Sequence, residues 1–585
     1  MTARADTGGR AAGWTLKARA ALAIGSLWLV FLLLIVRLAH LQIADADLYL
    51  GHAARQQILS RELSAWRGRL YDRKGRLLAA SVQRYSVYAD PHGIVDPAAT
   101  ARALASVLDV PAGSLEQRLH RDCYFVWVRR QIPDALAVRV RGLGLRGVHM
   151  QRESKRLYPQ GKLAAHVIGF TDIDGRGLAG VEKSMDALLR GRPGAESVLC
   201  DGSRRIFRSA RDQTERTPLN GLDVHLTLDA YVQEIAEEEL AKVVERHEPE
   251  CAAAVVLDAR DCSVLAMASW PGFDPQAPAQ TPLSYQRNVA VNDAYEFGSV
   301  MKPFAISMAL DGGVVEPETQ FDCHQGVWRI GRRTLHDAHA YGMLTVSDIL
   351  CHSSNIGAAQ ISLLLGCDEL YRGVRDFGFG RPGGIALPGE TGGIVRPLAA
   401  WNQYSVVSVA FGQELAVTPL SVAQAFAAFS NRGFLLQPRI VSAIKRPDTR
   451  ETVYDADEPI VGSRVISPAT AREVMEMMRR VVEEGTGKRA RLDEYTMAGK
   501  TGTAQLLRDD GRGYSDSRYL SSFVGIAPVE ESRVVVLVCL KGPTKNGYYG
   551  GVAAAPAVRE IVARTLRYLG VPPGPPDRTT PGESA

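Results

Sequence analysis

Apolar and polar residues change their period along the chain, and the changes divide it into segments. Ala20 to Val36, AALAIGSLWLVFLLLIV, carries no charge over 17 residues, about 25 Å of helix at 1.5 Å per residue and the short end of a bilayer span. Arg37 can snorkel to the headgroups while Leu38, Ala39 and Leu41 prolong the apolar face. LQIADADLYLGHAARQQ then reads as a helical neck, and Arg67 to Pro91, with DRKG between two alternating runs, predicts a β-hairpin. From about Asp96 to Leu222 the pattern is mixed, with many arginines and glycines. Leu228 to His247 has helical periodicity, and CAAAVVLDARDCSVLAMASW, Cys251 to Trp270, reads as strand, turn, strand. Helical periodicity dominates to about Phe429, after which strands return in YTMAGKTGTAQ and SRVVVLVCL. The expected fold is α/β (α+β), a sheet flanked by helices and assembled from distant parts of the chain. The closing VPPGPPDRTTPGESA is polar and Pro-rich, and we expect a disordered tail.

Charge orients the span. Arg4, Arg10, Lys17 and Arg19 precede it, so the positive-inside rule keeps the N-terminus cytoplasmic and exports the chain beyond the span. A cleaved signal peptide is the rival reading, with Ala44-Asp45-Ala46 as its cleavage site. Against it, the apolar core exceeds a usual signal core, and Arg37 and His40 intervene. The length of 585 residues suggests three or four compact units. The net charge of +5, from 69 basic and 64 acidic residues, is small and interspersed and argues against nucleic acid as a partner. The eight cysteines show no C-x-x-C pair and no zinc spacing, and read mostly as small buried apolar residues.

Serine and lysine three apart occur in YEFGSVMKPF (Ser299, Lys302) and in SAIK (Ser442, Lys445). LQPRIVSAIKRPD alternates as a half-buried strand does, and in a strand residues i and i+3 face opposite ways, so Ser442 reads as structural. Val300, Phe304, Ile306, Met308 and Leu310 instead suit a buried helix, in which i and i+3 share a face. Pro303 is tolerated only in the first helical turn, which puts Ser299 at the helix N-terminus. The helix dipole there favours an alkoxide or an oxyanion. Lys302 is one turn away and acts as base only when neutral; burial and a second cation would both lower its pKa. A second converging lysine is therefore the feature to look for. The bland alternative is an N-capping serine beside a surface lysine.

Two motifs lie further along. Ser353-Ser354-Asn355 is 54 residues beyond Ser299, and Lys500-Thr501-Gly502 is 147 beyond Ser353. S-x-x-K, S-x-N and K-T-G in this order resemble the signature of the penicillin-interacting serine acyltransferases. The resemblance covers nearly all of the chain after the span. RGRLYDRKGRLLA, YPQGKLAAHVIGFTDIDGRGLAGVEKSMD, VTPLSVAQAFAAFSNRG and YYGGVAAAPAVREI look like class B penicillin-binding proteins, and HVIGFTD with GVEKSMD is most similar to the FtsI type. The resemblance implies a cytoplasmic tail (1–19), a transmembrane helix (20–41), an elongated α+β pedestal of the dimerisation type (42–225), a penicillin-binding transpeptidase domain (226–570) and the tail (571–585).

It also implies a reaction. Ser299 would attack the penultimate D-Ala carbonyl of a stem pentapeptide and expel the terminal D-Ala, with Lys302 as base. Ser353 would relay a proton to the leaving group, Asn355 would bond the substrate amide and Lys302, and Lys500 would be the second lysine. Thr501 and Thr503, at i and i+2 on one strand face, suit the substrate carboxylate, and Gly502 would let the substrate backbone approach the strand edge. The N–H groups of Ser299 and Thr503 would form the oxyanion hole, where one donor is worth a factor of about 10² to 10³. No cofactor and no metal are implied. The implied partners are peptidoglycan stem peptides, β-lactams, the membrane, a SEDS-type glycosyltransferase and divisome proteins. The implied location is the inner membrane, single-pass, with an extracytoplasmic catalytic domain. Septal cross-linking is the expected role. An elongation enzyme, a D,D-carboxypeptidase or a β-lactam sensor on the same fold are the alternatives.

Phe297 stands where the family usually has proline, which we expect to alter the site entrance and the rate of β-lactam acylation. His336, Asp337 and His339 offer H-x-x-H without a third ligand and read as loop, and Gly-rich ALPGETGG lacks the strand-to-helix grammar of a phosphate loop. Glu296 is near enough to imitate a general base, but its side chain is expected to point away from Ser299.

Overall fold

The computed structural model describes residues 16–49, 58–200, 206–456, 458–508, 510 and 512–574. It divides into two compact units. The first, Met1–Ala65 with Arg192–Leu219, contains the helix Leu16–Ala39, continued by a π-helical turn His40–Ala44. No residue of this helix is buried, and with its continuation it is long and apolar enough to cross a membrane, consistent with a single-pass anchor. It begins four residues before the expected span. The unit also holds an antiparallel sheet of Ile58–Leu63, Gly194–Cys200 and Ile206–Arg216. Part of the expected neck (50–57) and most of the expected tail (575–585) lie outside the described residues.

The second unit carries everything else. The DRKG hairpin forms as β1 (Leu70–Tyr71) and β2 (Leu77–Ala89), with Asp72 Oδ1 accepting the N–H groups of Lys74 and Arg76 across the turn. Strand β2 pairs with β3 (Val126–Ile132) on one edge and β4 (Val148–Leu157) on the other. Glu182, fully buried, takes the guanidinium groups of Arg67 and Arg156 at 2.7 Å each, and Arg67 also reaches Asp186. Strand β5 (Asp223–Leu226) lies between β1 and the later β10 (Val441–Lys445), which pairs onward with β11 (Thr452–Asp455). The expected boundary at 225/226 thus falls inside a strand, and one seven-stranded sheet is shared by pedestal and catalytic sequence. Ser442 sits on β10, as the alternation predicts, with Oγ donating to the carbonyl of His225.

The catalytic sheet is antiparallel in the order β7 (Val264–Trp270), β6 (Cys251–Asp258), β14 (Val534–Lys541), β13 (Tyr514–Ala527), β12 (Ala498–Leu507). Its apolar runs are continuous because both faces are covered. Ala253, Val255 and Leu257 of β6 face one core, and Ala252, Ala254 and Val256 face the other. On the first side lie α2 (Lys302–Asp311), α3 (Asn355–Leu365), α4 (Pro419–Ser430) and α5 (Pro468–Glu483), and on the second α1 (Ala230–His247) and α6 (Ala555–Tyr568). A hairpin, β8 (Val327–Ile330) and β9 (Arg333–His336), precedes α3.

Candidate active site

Ser299 lies in a 3₁₀ turn, Gly298–Met301, that leads directly into α2, with Pro303 in the helix's first turn. The chain reaches that turn through Gly298 at φ +59°, a conformation that an L side chain resists. Phe304 locks the helix from below: its ring meets those of Phe377, Phe379, Phe426 and Phe429 at centroid distances of 4.9 to 5.5 Å. Ser299 itself is partly exposed, whereas Val300, Met301 and Lys302 around it are buried.

Two distant segments, those of Ser353-Ser354-Asn355 and Lys500-Thr501-Gly502, converge beside Lys302. Its Nζ donates to the Ser353 carbonyl at 2.5 Å and to Asn355 Oδ1 at 2.8 Å, and lies 3.3 Å from Ser353 Oγ. Lys500 Nζ approaches the same Oγ from the sheet side at 2.9 Å. Both lysines are fully buried. Burial drives Lys302 well below the usual lysine range, and the Lys500 charge pushes the same way, while Asp337 and Cys323 oppose it. Burial takes Lys500 down to about 7. A neutral lysine has two N–H donors; the two carbonyl oxygens occupy both, which leaves the lone pair for a hydroxyl proton.

The S-x-N segment is held in a demanding geometry. Ser353 caps the preceding helix at φ +62°, left-handed for a non-glycine residue, a strain of about 1 to 3 kcal/mol. Ser354 caps α3, with Oγ accepting the Gly357 N–H. Asp337, expected to be an ordinary loop residue, holds the pair in place. Its Oδ1 accepts the N–H groups of Asn355 (2.5 Å) and Ile356 (3.1 Å), and its Oδ2 accepts Ser354 Oγ–H (2.6 Å). The neighbouring His336 carbonyl accepts from Asn355 Nδ2 at 3.0 Å. The local signal for Asp337, a carboxylate next to a histidine, is weak; its 18-residue separation from Asn355 carries no periodicity.

Strand β12 is the edge of the catalytic sheet. Thr501 and Thr503 share one face, as expected: Thr501 Oγ1 meets Thr486 Oγ1 at 2.8 Å, and Thr503 Oγ1 accepts the Gly550 N–H at 3.0 Å. Tyr519, Tyr548 and Tyr549 stack beside this face at 4.0 and 4.7 Å. Gly502 departs from expectation. A Cβ there would stand 2.6 Å from the Phe297 carbonyl oxygen and 2.6 Å from Val300 Cγ2, so the glycine admits the Ser299 turn against the strand.

Phe297 also departs from expectation. Its side chain is fully buried in the core, so it does not line the entrance; its apolar surface follows the core, which a local comparison with proline cannot reveal. Glu296 turns aside, as expected, and its carboxylate accepts the Glu414 N–H at 2.9 Å. Cys123, Cys251, Cys262, Cys323, Cys351, Cys367 and Cys539 are free thiols, five of them buried.

Comparison with known proteins fits this geometry. Residues 252–563 match the penicillin-binding protein transpeptidase domain, and residues 62–226 match the penicillin-binding protein dimerisation domain. The chain is 36% identical over 551 residues to a probable peptidoglycan D,D-transpeptidase, PenA, of Neisseria gonorrhoeae, covering 94% of this chain and 92% of that one. It is 31% identical over 573 residues to the peptidoglycan D,D-transpeptidase FtsI of Escherichia coli K12, covering 97% and 94%. Among solved structures, penicillin-binding protein 3 of Mycobacterium tuberculosis complexed with ampicillin superposes with a TM-score of 0.69 at 29% identity, over 89% of this chain and 99% of that one.

Proposed function

Since the chain belongs to the class B penicillin-binding proteins and is a serine-type peptidoglycan D,D-transpeptidase, we propose that Ser299 is its nucleophile and that septal cross-linking is its task. Ser299 Oγ attacks the penultimate D-Ala carbonyl carbon while its proton passes to neutral Lys302. The tetrahedral oxyanion is held by the Ser299 and Thr503 N–H groups. Ser353, between the two lysines, delivers a proton to the departing nitrogen as the peptide bond breaks and D-Ala leaves. The acyl-enzyme ester is then cleaved by an acceptor amine, which restores the serine hydroxyl. Thr501 and Thr503 bind the donor's terminal carboxylate. The observation that carries this reading is the line from Lys302 Nζ through Ser353 Oγ to Lys500 Nζ, at 3.3 and 2.9 Å, whose two lysines are fully buried and so held in a range where one can be neutral.

The septal assignment rests on the likeness to FtsI and extends to an N-in topology in the inner membrane and to a SEDS-type glycosyltransferase and divisome partners. Labelling with a fluorescent penicillin tests the chemistry: a long-lived adduct on Ser299 supports transpeptidation, rapid turnover a hydrolase, and no adduct a scaffold. Depletion tests the role, since filaments support septation and rounded cells overturn it in favour of elongation.

A further inference from the structure

The two threonine hydroxyls of the K-T-G strand have neighbours that none of the three motifs supplies. Thr501 Oγ1 lies 2.8 Å from Thr486 Oγ1, with Lys500 Nζ a second and weaker donor at 3.5 Å, and Thr503 Oγ1 accepts the Gly550 N–H at 3.0 Å. Thr501 is buried, whereas Thr486 is exposed on the short loop that follows α5. That loop is held from three directions. A Cβ at Gly485 would run into the carbonyl of Cys351, two residues before Ser353, and a Cβ at Gly551 would stand 2.5 Å from the Thr486 carbonyl oxygen. From the helix side, the Gly485 and Gly487 N–H groups donate to the carbonyls of Arg480 and Val481. Thr486 is thereby fixed between the S-x-N segment and the K-T-G strand.

Counting protons gives this contact a direction. A hydroxyl has one proton to donate and two lone pairs, and a carboxylate only accepts. When the donor's terminal carboxylate lies against Thr501 and Thr503, each threonine must give it a proton, so the other partners of each oxygen must be donors. Thr503 meets this condition through the Gly550 N–H. Thr501 meets it when Thr486 donates, and a hydroxyl that accepts a hydrogen bond is polarised to donate more strongly. We propose that Thr486 is a positioning residue for the donor substrate: its hydroxyl donates to Thr501 Oγ1 and turns the Thr501 proton toward the carboxylate of a stem peptide or a penicillin. This role rests on the reading of Ser299 as nucleophile and of Thr501 and Thr503 as the carboxylate site. It gives a fourth segment of the chain a share in recognising the acidic end of the donor.

The test is stopped-flow acylation of the full chain in detergent by benzylpenicillin and by its methyl ester, which lacks the charged acceptor. Thr486→Val, close in shape but without the hydroxyl, should lower the second-order acylation constant for the acid about tenfold and for the ester by less than about twofold, and Thr486→Ala should give the same pattern. Thr486→Ser, which keeps the hydroxyl, should restore the rate with the acid. In a Thr501→Val background Thr486→Val should have no further effect, and the acid limb of the pH profile should stay in place. An unchanged rate with the acid overturns the proposal. Equal losses for acid and ester, or additive losses in the double variant, also overturn it and leave Thr486 as support for its loop. A displaced acid limb overturns it in favour of an action on the lysines. An unsubstituted chain that fails to acylate would instead overturn the catalytic reading, and this role with it.

Discussion

Gly502→Ala separates two reasons for a glycine in the K-T-G strand. The added Cβ would lie 2.4 Å from Ser522 Oγ, 2.6 Å from the Phe297 carbonyl oxygen and 2.6 Å from Val300 Cγ2. Ser522 Oγ has no partner and can rotate away. The other two contacts belong to the turn that carries Ser299, and both Phe297 and Val300 are fully buried. Restoring an ordinary separation of about 3.4 Å requires the turn and strand to part by about 0.8 Å, and a displacement near 1 Å at a reacting group costs about 10²-fold. Overpacking a core of this kind adds about 1 to 3 kcal/mol of instability. Stopped-flow acylation with a fluorescent penicillin should show the acylation step falling about 10²-fold with little change in initial binding, and thermal unfolding should show a lower Tm. Gly502→Ala/Val300→Ala, which removes one of the clashing atoms, should recover part of the rate. If the glycine served substrate approach, binding would weaken while Tm stayed put; that pattern, or acylation within about twofold of wild type, would refute the packing account.

Ser299→Ala should abolish penicillin labelling and Ser442→Ala leave it unchanged; the reverse result would sink the assignment of the nucleophile. Acylation should rise with pH, because Lys302 must be neutral and its folded pKa lies below the usual lysine value; the rate is lost as pH falls through that pKa. Asp337→Asn removes a carboxylate that favours protonated Lys302, so the acid limb of the pH profile should move to lower pH. It should also cost about 1 kcal/mol through the weakened cap on α3, and a limb that moves upward would contradict the assignment. Arg67→Ala leaves fully buried Glu182 with Arg156 as its remaining ion-pair partner. Breaking such a pair costs about 3 to 5 kcal/mol, to be read by denaturant unfolding; a loss below about 1 kcal/mol would show that the cluster is not a structural anchor.

Local grammar decided much of this protein before any fold was known. Pro303 and the apolar spacing behind Lys302 fix a helix with Ser299 just before its N-terminus, in the turn that leads into it, and alternation places Ser442 on a strand. Both follow from sterics and side-chain direction within a few residues. The 17 uncharged residues from Ala20 likewise predict a helix long and apolar enough to cross a membrane, and such a helix forms there. Family likeness, rather than spacing, suggested that Ser353, Asn355 and Lys500 belong with Ser299. Tertiary structure decided the rest. Lys302 meets Ser353 across 51 residues and Lys500 meets it across 147, and the sheet order that brings them together joins β6 to β14 over most of the catalytic sequence. Asp337 became a clamp, Gly502 a packing site and Phe297 a core residue only through neighbours far away in the chain. A side chain's burial and its hydrogen-bond partners are properties of those neighbours, so the sequence determined which residues could do the chemistry and the fold determined what holds them in place.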